Sequence, residues 1–257
     1  MQRAKTTGQA SGLRGRRVVI TRPAGCAGAL PRRVRAAGGV PVLLPGMALR
    51  GAPDVAAARI ALLAALGDDV IVFTSPAAVR FAAKLAPLHT RAEALAVGQG
   101  TARALRRRAL EVPLVPSRQD SEGLLRHPAL AAVRGRRVAL VGAPGGRGVL
   151  RRELGARGAL LREVHVYRRV PARLDRRHVD ALLDLPRSAC VLLSSAEALH
   201  NLCDQLPRPA LARWLAATAV VSSERLAAAA RAAGFAHVVR AASALPADLL
   251  AGVQSLA

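Results

Sequence analysis

Two parts of the sequence match each other at an offset of 120 residues, so the chain carries an internal repeat. The run Gly-Arg-Arg-Val at 15–18 returns at 135–138, and the same offset relates 72–79 to 192–199. Further along, the offset drifts by a few residues, so that Val97-Gly98 is matched by Val221-Ser222. Biased composition poorly explains a register held over this length, and we interpret the repeat as a duplication.

Each copy of the repeat alternates short apolar runs with amphipathic segments. Residues 18–21 read as a buried strand, and 27–37 read as a helix that stops at Gly38-Gly39. This alternation predicts parallel sheets covered by helices on both faces, which is an α/β fold. Further strands are predicted at 40–44, 70–73, 95–97, 138–141, 160–166, 190–193, 219–221 and 237–240, and further helices at 56–66, 76–85 and 101–108.

Composition limits the remaining classes of protein. With 257 residues, of which 52% are hydrophobic, the chain can bury two small cores. No apolar run reaches the roughly 20 residues that span a bilayer, so a cytoplasmic location is expected. Residues 1–13 are predicted to be a flexible tail. The three cysteines and six scattered histidines lack metal-ligand spacing, which predicts reduced thiols and no metal site.

A net charge of +23 raises the question of nucleic-acid binding. Lys5 and Lys84 are the only lysines, and the arginines are spread along the chain rather than held in one stripe. Neither a zinc-finger spacing nor an aromatic-rich RNA motif is present. Arg and Ala share GC-rich codons, so coding bias alone accounts for the charge. We therefore predict no specific nucleic-acid partner, while the charge also suits a small polyanionic substrate.

Small polar residues follow the predicted strands, at the sheet edge where ligands of such folds bind. Hydroxyls and bare backbone N–H groups at helix starts suit anions such as carboxylate or phosphate. The alternative is that the serines and threonines are ordinary helix N-caps, which is favoured for any single pair. Several such ends in one duplicated chain favour a shared anion-binding cleft. The candidate substrate-binding residues are Arg22, Thr74, Ser75, Gly98, Thr101, Ser194, Ser195, Ser222 and Ser223.

The glycine-rich segments do not form a nucleotide-binding motif. The run at 142–146 is not followed by Lys-Ser or Lys-Thr, and the pair Gly98 and Gly100 lacks a third glycine. A Gly-x-Ser-x-Gly elbow and a recognisable catalytic cysteine are also missing from the sequence. We therefore expect no nucleotide cofactor and no Ser or Cys nucleophile.

An ordered set of motifs over residues 14–252 resembles the uroporphyrinogen-III synthase family. These motifs are Thr-Arg-Pro at 21–23, Phe-Thr-Ser-Pro at 73–76, Val-Gly-x-x-Thr-Ala at 97–102, Asp-Ser-Glu-Gly-Leu-Leu at 120–125, Gly-x-x-Gly-Gly-Arg at 142–147, Val-Tyr-Arg-Arg at 166–169 and Val-Ser-Ser-Glu-Arg-Leu-Ala at 221–227. The sequence departs from the family pattern at Ala77, usually Asn, at Val141-Gly142, where the Arg that usually starts the Gly-x-x-Gly-Gly-Arg loop is missing, and at Arg225, which stands where the first copy has Thr101.

The resemblance implies two interleaved domains, each a parallel sheet flanked by helices, joined by a two-stranded linker. Residues 1–46 and 172–257 would form one domain and 47–171 the other, with crossings near 44–48 and 166–171. It implies a monomeric enzyme that closes the linear tetrapyrrole hydroxymethylbilane to uroporphyrinogen III, with loss of water and inversion of ring D. Metal and organic cofactors take no part in that reaction.

Tyr167 is the candidate catalytic residue. It is the only tyrosine, and it lies at an expected domain crossing in the Val-Tyr-Arg-Arg motif. A phenol can donate a proton to a leaving hydroxyl, and the alternative is a tyrosine that packs at a linker. The following Arg168 and Arg169 are interpreted as a solvated pair. A second hypothesis from another class is a noncatalytic two-domain protein that binds a tetrapyrrole or a nucleic acid.

Overall fold

The computed structural model describes residues 12–110, 113–145 and 148–256. Their elements, in chain order, are β1 (Arg17–Ile20), α1 (Leu30–Ala36), β2 (Val40–Leu43), β3 (Met47–Gly51), α2 (Val55–Ala65), β4 (Val70–Phe73), α3 (Pro76–Leu85), β5 (Glu93–Ala96), α4 (Gln99–Arg106), α5 (Ser121–Leu125), β6 (Arg137–Gly142), α6 (Gly148–Ala156), β7 (Leu160–His165), β8 (Tyr167–Pro171), α7 (Arg176–Leu183), β9 (Cys190–Leu192), α8 (Ala196–Gln205), α9 (Arg208–Leu215), β10 (Thr218–Val221), α10 (Glu224–Ala232), β11 (Val238–Arg240) and α11 (Pro246–Gln254).

The chain divides into two compact units. One comprises the described residues up to Ala48 together with those from Val170 onward, and the other is Leu49–Arg169. The strands β3 and β8 pair with each other, and each crosses one of the two borders between the units. The two-stranded linker predicted from the family resemblance is therefore present. The predicted domains, 1–46 with 172–257 and 47–171, stay a prediction about which parts fold together.

The first unit contains a five-stranded sheet in the order β11-β10-β9-β1-β2, whose paired strands run parallel. Its core lies on both faces, with Trp214 the largest fully buried side chain. The prediction of a flexible tail over residues 1–13 is wrong for Leu13, which is only 4% exposed and packs in the core beside Val34. Residues 1–11 of that tail lie outside the described residues.

The second unit contains a four-stranded parallel sheet in the order β5-β4-β6-β7, also covered on both faces. The repeat relates β1 to β6 and β4 to β9. Related strands hold the same positions in the two sheets, because β10-β9-β1-β2 corresponds to β5-β4-β6-β7. Each sheet thus joins the first half of one copy to the second half of the other. The predicted α/β fold with two interleaved parallel sheets is confirmed.

Local sequence signals explain several element ends. Gly38 ends α1 with φ +82°, a conformation that side chains with a Cβ rarely adopt, and its N–H donates to Arg35. Ser75 caps α3 directly before Pro76, which occupies the first helical position without needing a donor. Among the described residues, no helix is both long and apolar enough to span a membrane.

Candidate active site

The end of β4 supplies two of the predicted site residues. The Thr74 hydroxyl donates to the carbonyl of Val141 at 3.0 Å, which ties the end of β4 to β6. Ser75 accepts a hydrogen bond from the backbone N–H of Ala78 at 3.0 Å and so caps α3. Ser75 is therefore a cap, as the alternative interpretation held, and both residues stay partly exposed at the strand end.

Tyr167 lies beside this strand end, at the start of β8. Its phenolic oxygen is 3.3 Å from Oγ of Ser75, and its ring stacks on Phe81 with centroids 5.3 Å apart and planes inclined by 14°. The ring is 7% exposed. The guanidinium of Arg80 and the ammonium of Lys84 lie 5.2 and 5.3 Å from the centroid of the Phe81 ring. Packing against Phe81 therefore fixes the ring of Tyr167, and two basic side chains lie over the Phe81 ring.

A cavity of about 310 Å³ opens at this end of the sheet, and Thr74, Ser75 and Tyr167 all line it. Gly142 also lines it, and a Cβ there would collide with the Thr74 hydroxyl oxygen. A side chain at Gly142 would therefore require the Thr74 hydroxyl to move. The loop residues 146 and 147 of this motif lie outside the described residues.

Four charged or titratable side chains also line the cavity, and none of them was among the site residues predicted from the sequence. They are Arg151 from α6, Glu163 and His165 from β7, and Arg169 from β8. Arg169, interpreted from the sequence as half of a solvated pair, donates to the carbonyl of Pro144 at 3.0 Å. Positions 163 and 165 alternate with buried Val164 and thus share one face of a strand. This period-two spacing was a signal that could have identified them.

The predicted residues of the α4 region do not line this cavity. Gly98 is the N-cap of α4, and a Cβ there would lie 2.6 Å from Oε1 of Gln119. The same oxygen accepts from the backbone N–H of Gln99 at 2.9 Å. Thr101 is 1% exposed and points into the unit, so its hydroxyl has almost no surface to offer a ligand in this conformation.

The remaining serine candidates lie in the other unit, at the ends of β9 and β10. The backbone N–H of Ser194 donates to Oγ1 of Thr21 at 3.1 Å, which links the ends of β9 and β1. Ser195 caps α8 and Ser223 caps α10, each by accepting a backbone hydrogen bond. Ser222 lies between β10 and its helix and is partly exposed. These strand ends repeat the arrangement of Thr74 and Ser75.

Arg22 follows β1 in this same unit and is held by the chain itself. Its Nη2 donates to the carbonyl of Ala244 at 2.7 Å. Burial lowers the pKa of the Arg22 guanidinium, and the nearby Cys26 acts in the opposite direction. An arginine remains charged under such conditions, so the position is positive and half-buried.

The His, Cys, Asp and Glu side chains offer neither a metal site nor an obvious nucleophile among the described residues. Within residues 12–110, 113–145 and 148–256, no three His, Cys, Asp or Glu side chains come together as a metal ion would need. The three cysteines are free thiols. Burial raises the pKa of the Cys190 thiol, although Arg16 partly offsets this, and the pKa of Cys203 is raised by burial and by Asp204. A raised thiol pKa disfavours the nucleophilic thiolate, so neither Cys190 nor Cys203 is suited to act as a nucleophile.

The comparisons with known proteins agree with one another. The chain matches the family model described as uroporphyrinogen-III synthase HemD over residues 28–251. A uroporphyrinogen-III synthetase from Helicobacter pylori is similar in structure, with a TM-score of 0.63 and 15% identity over 94% of this chain and 100% of that one. A mutant uroporphyrinogen III synthase from Thermus thermophilus gives a TM-score of 0.58 and 22% identity over 94% of this chain and 98% of that one. None of the curated proteins matches the chain at a significant level.

Proposed function

We propose, from the premise that this chain belongs to the uroporphyrinogen-III synthase family, that Tyr167 and the polar groups around it carry out the reaction of that family. The match to the family model over residues 28–251 confirms the resemblance seen in the sequence motifs. The protein is an enzyme of tetrapyrrole biosynthesis in the lyase class, and nothing favours the alternative of a noncatalytic binding protein. Its reaction removes water from hydroxymethylbilane and closes the macrocycle with ring D inverted.

The observation that carries the assignment of Tyr167 is its position against Ser75 on the cavity wall. The hydroxyl must leave the substrate before the ring can close, and a phenol can protonate it or donate a hydrogen bond to it. Stacking on Phe81 restricts the ring of Tyr167, so its hydroxyl is already positioned to donate before the substrate binds. Ser75 provides a hydroxyl partner at 3.3 Å that orients the phenol.

The substrate carries eight carboxylates, and the chain offers several places for such anions. Ser75, Gly98, Ser195 and Ser223 mark the N-terminal ends of α3, α4, α8 and α10. The positive end of each helix dipole favours negative charge. The other proposed anchors next to these helix starts are Arg22, Thr74, Thr101, Ser194 and Ser222, of which Thr101 would first have to become exposed.

Long-range electrostatic attraction also supports the binding of a substrate with many carboxylates. The formal net charge of +23 attracts a polyanion and raises its rate of encounter with the protein. Once a flexible linear tetrapyrrole is bound, holding it in one conformation brings its two ends together. Such positioning alone supplies a large part of the rate of ring closure. We propose that the enzyme works as a cytoplasmic monomer, without metal, organic cofactor or specific nucleic-acid partner.

The decisive experiment is an isomer analysis. The protein is incubated with freshly prepared hydroxymethylbilane, and the oxidised products are separated into types I and III. Excess type III isomer over the protein-free control supports the enzyme. Type I isomer alone, formed at the spontaneous rate, would exclude catalysis and leave the noncatalytic binding protein as the function.

A further inference from the structure

A carboxylate of the chain itself lies between two basic side chains on the wall of the Tyr167 cavity. One oxygen of Glu163 accepts from Nη1 of Arg151 at 3.5 Å, and the other lies 3.5 Å from Nε2 of His165. Arg151 comes from α6, whereas Glu163 and His165 come from the edge strand β7. Two different elements thus place nitrogen atoms within 3.5 Å of one carboxyl group.

This cluster is poorly explained by folding stability. The side chains of Arg151, Glu163 and His165 are 65%, 36% and 45% exposed. Ion pairs this exposed contribute little to stability, because water screens them and the long side chains lose freedom. The opposite face of β7 carries the structural contact instead, where Arg162 binds the buried carboxylate of Asp68. The exposed cluster is therefore free of a structural requirement to keep its present partners.

We propose that Arg151 and His165 form a subsite for one carboxylate side chain of the linear tetrapyrrole, and that Glu163 competes with the substrate for it. The proposal rests on the function given above. The three residues line the same cavity as Thr74, Ser75 and Tyr167, so a carboxylate held there belongs to a substrate whose reacting end lies at the phenol. Displacing Glu163 exchanges one carboxylate for another, and Arg151 keeps an anionic partner throughout.

Competition also gives Glu163 a role in selectivity. A ligand with a single weak contact must displace an intramolecular carboxylate that is always present at high effective concentration. A ligand whose other carboxylates are bound elsewhere on the protein can do so more easily. The subsite therefore favours tetrapyrroles with many carboxylates over those with few.

Steady-state kinetics with hydroxymethylbilane test the proposal. We expect Arg151→Gln to raise KM about three- to tenfold with kcat nearly unchanged, since one charge-assisted contact is lost. Glu163→Gln should lower KM about two- to fivefold, because the competitor loses its charge. Arg151→Lys should restore part of the affinity. The matched control is Arg152→Gln, which removes an equal charge from the next residue of α6, 70% exposed and paired with Glu153.

A second measurement separates the subsite from the catalytic function. Uroporphyrin I, a stable macrocycle with eight carboxylates, is titrated into each variant and its fluorescence gives Kd, whether or not the protein is active. The same order of affinities is expected, with Glu163→Gln tightest and Arg151→Gln weakest. Equal effects of the Arg151 and Arg152 variants, or weaker binding by Glu163→Gln, would overturn the subsite. A wild-type protein that forms only type I isomer would refute the function while leaving this titration valid.

Discussion

The phenolic oxygen of Tyr167 and Oγ of Ser75 lie 3.3 Å apart, which joins the first residue of β8 to the N-cap of α3. Ser75 Oγ also accepts from the backbone N–H of Ala78. The serine that follows β4 and caps α3 is thus also the partner of the only tyrosine in the chain. Substitutions at the two residues separate the catalytic donor from the helix cap.

Tyr167→Phe should lower the rate of type III isomer formation by about a hundredfold or less. Removing one donor aimed at developing charge costs about 10²–10³, and the lower end applies because positioning carries much of this reaction. Stacking on Phe81 is kept, and the lost hydrogen bond is worth about 0.5–1.5 kcal/mol, so the melting temperature should change little. An unchanged rate would remove Tyr167 from the mechanism.

The control for this variant is Ser75→Ala, which removes the hydroxyl partner of Tyr167 and the cap of α3 together. The lost cap should cost about 1 kcal/mol of unfolding free energy. If Tyr167→Phe lowered the melting temperature more than Ser75→Ala does, its loss of rate would have to be assigned to structure.

Arg162→Met should destabilise the second unit by about 1–3 kcal/mol, because it leaves a buried acceptor without its main donor. Nε of Arg162 donates to Oδ2 of Asp68 at 2.8 Å, and the Asp68 side chain is fully buried. Removing the arginine leaves a buried carboxylate whose remaining basic neighbour, Arg137, is 3.8 Å away. Denaturant unfolding measures the effect, and Asp68→Asn with Arg162→Met should recover part of the loss. A loss of unfolding free energy below about 1 kcal/mol is typical of an exposed ion pair, and it would show that Arg162 does not stabilise the buried carboxylate of Asp68.

The cap of α5 should make stability depend on acid pH. Burial raises the pKa of the Asp120 carboxyl, but the backbone N–H of Gly123 and the Arg118 guanidinium outweigh it, so the pKa is lowered overall. A lowered folded-state pKa gives stability that is present above the unfolded value of about 3.9 and is lost as pH falls through the folded value.

The matching variant is Asp120→Ala, which should cost about 1 kcal/mol near pH 7 through the lost cap. The difference from wild type should shrink below about pH 4, where the unfolded carboxyl takes up its proton. Urea unfolding at pH 7 and at lower pH measures this. A difference that stays constant down to the acid limit would show that the charge of Asp120 contributes nothing.

Cys190 should resist alkylation in the folded protein. It is 1% exposed, and burial raises its thiol pKa despite the nearby Arg16, so the reactive thiolate is scarce and shielded. Iodoacetamide labelling followed by mass spectrometry should modify the half-buried Cys26 first and Cys190 only after unfolding in guanidinium. Equal labelling rates at the two thiols in native buffer would show that this part of the sheet opens readily.

Local patterns in the sequence predicted most of the strands and four of the helices. The strand at 70–73 and the helix at 76–85 were predicted with the borders that the structure has. A continuous apolar run, then Ser75 as cap and Pro76 at the first helical position, are signals that act within a few neighbouring residues. The duplication was visible for the same reason, because it is a property of the order of residues alone.

The tertiary structure decided which distant segments meet. β1 pairs with β9 although Val18 and Cys190 are far apart in the chain, and the sequence indicated this interleaving only through its family resemblance. Thr101 had the same strand-end signal as Thr74, but the packing of its helix buries it. Arg151 meets Glu163 because α6 and β7 pack side by side, and neither residue carries a motif. Such contacts depend on the arrangement of whole elements, which local propensity does not encode.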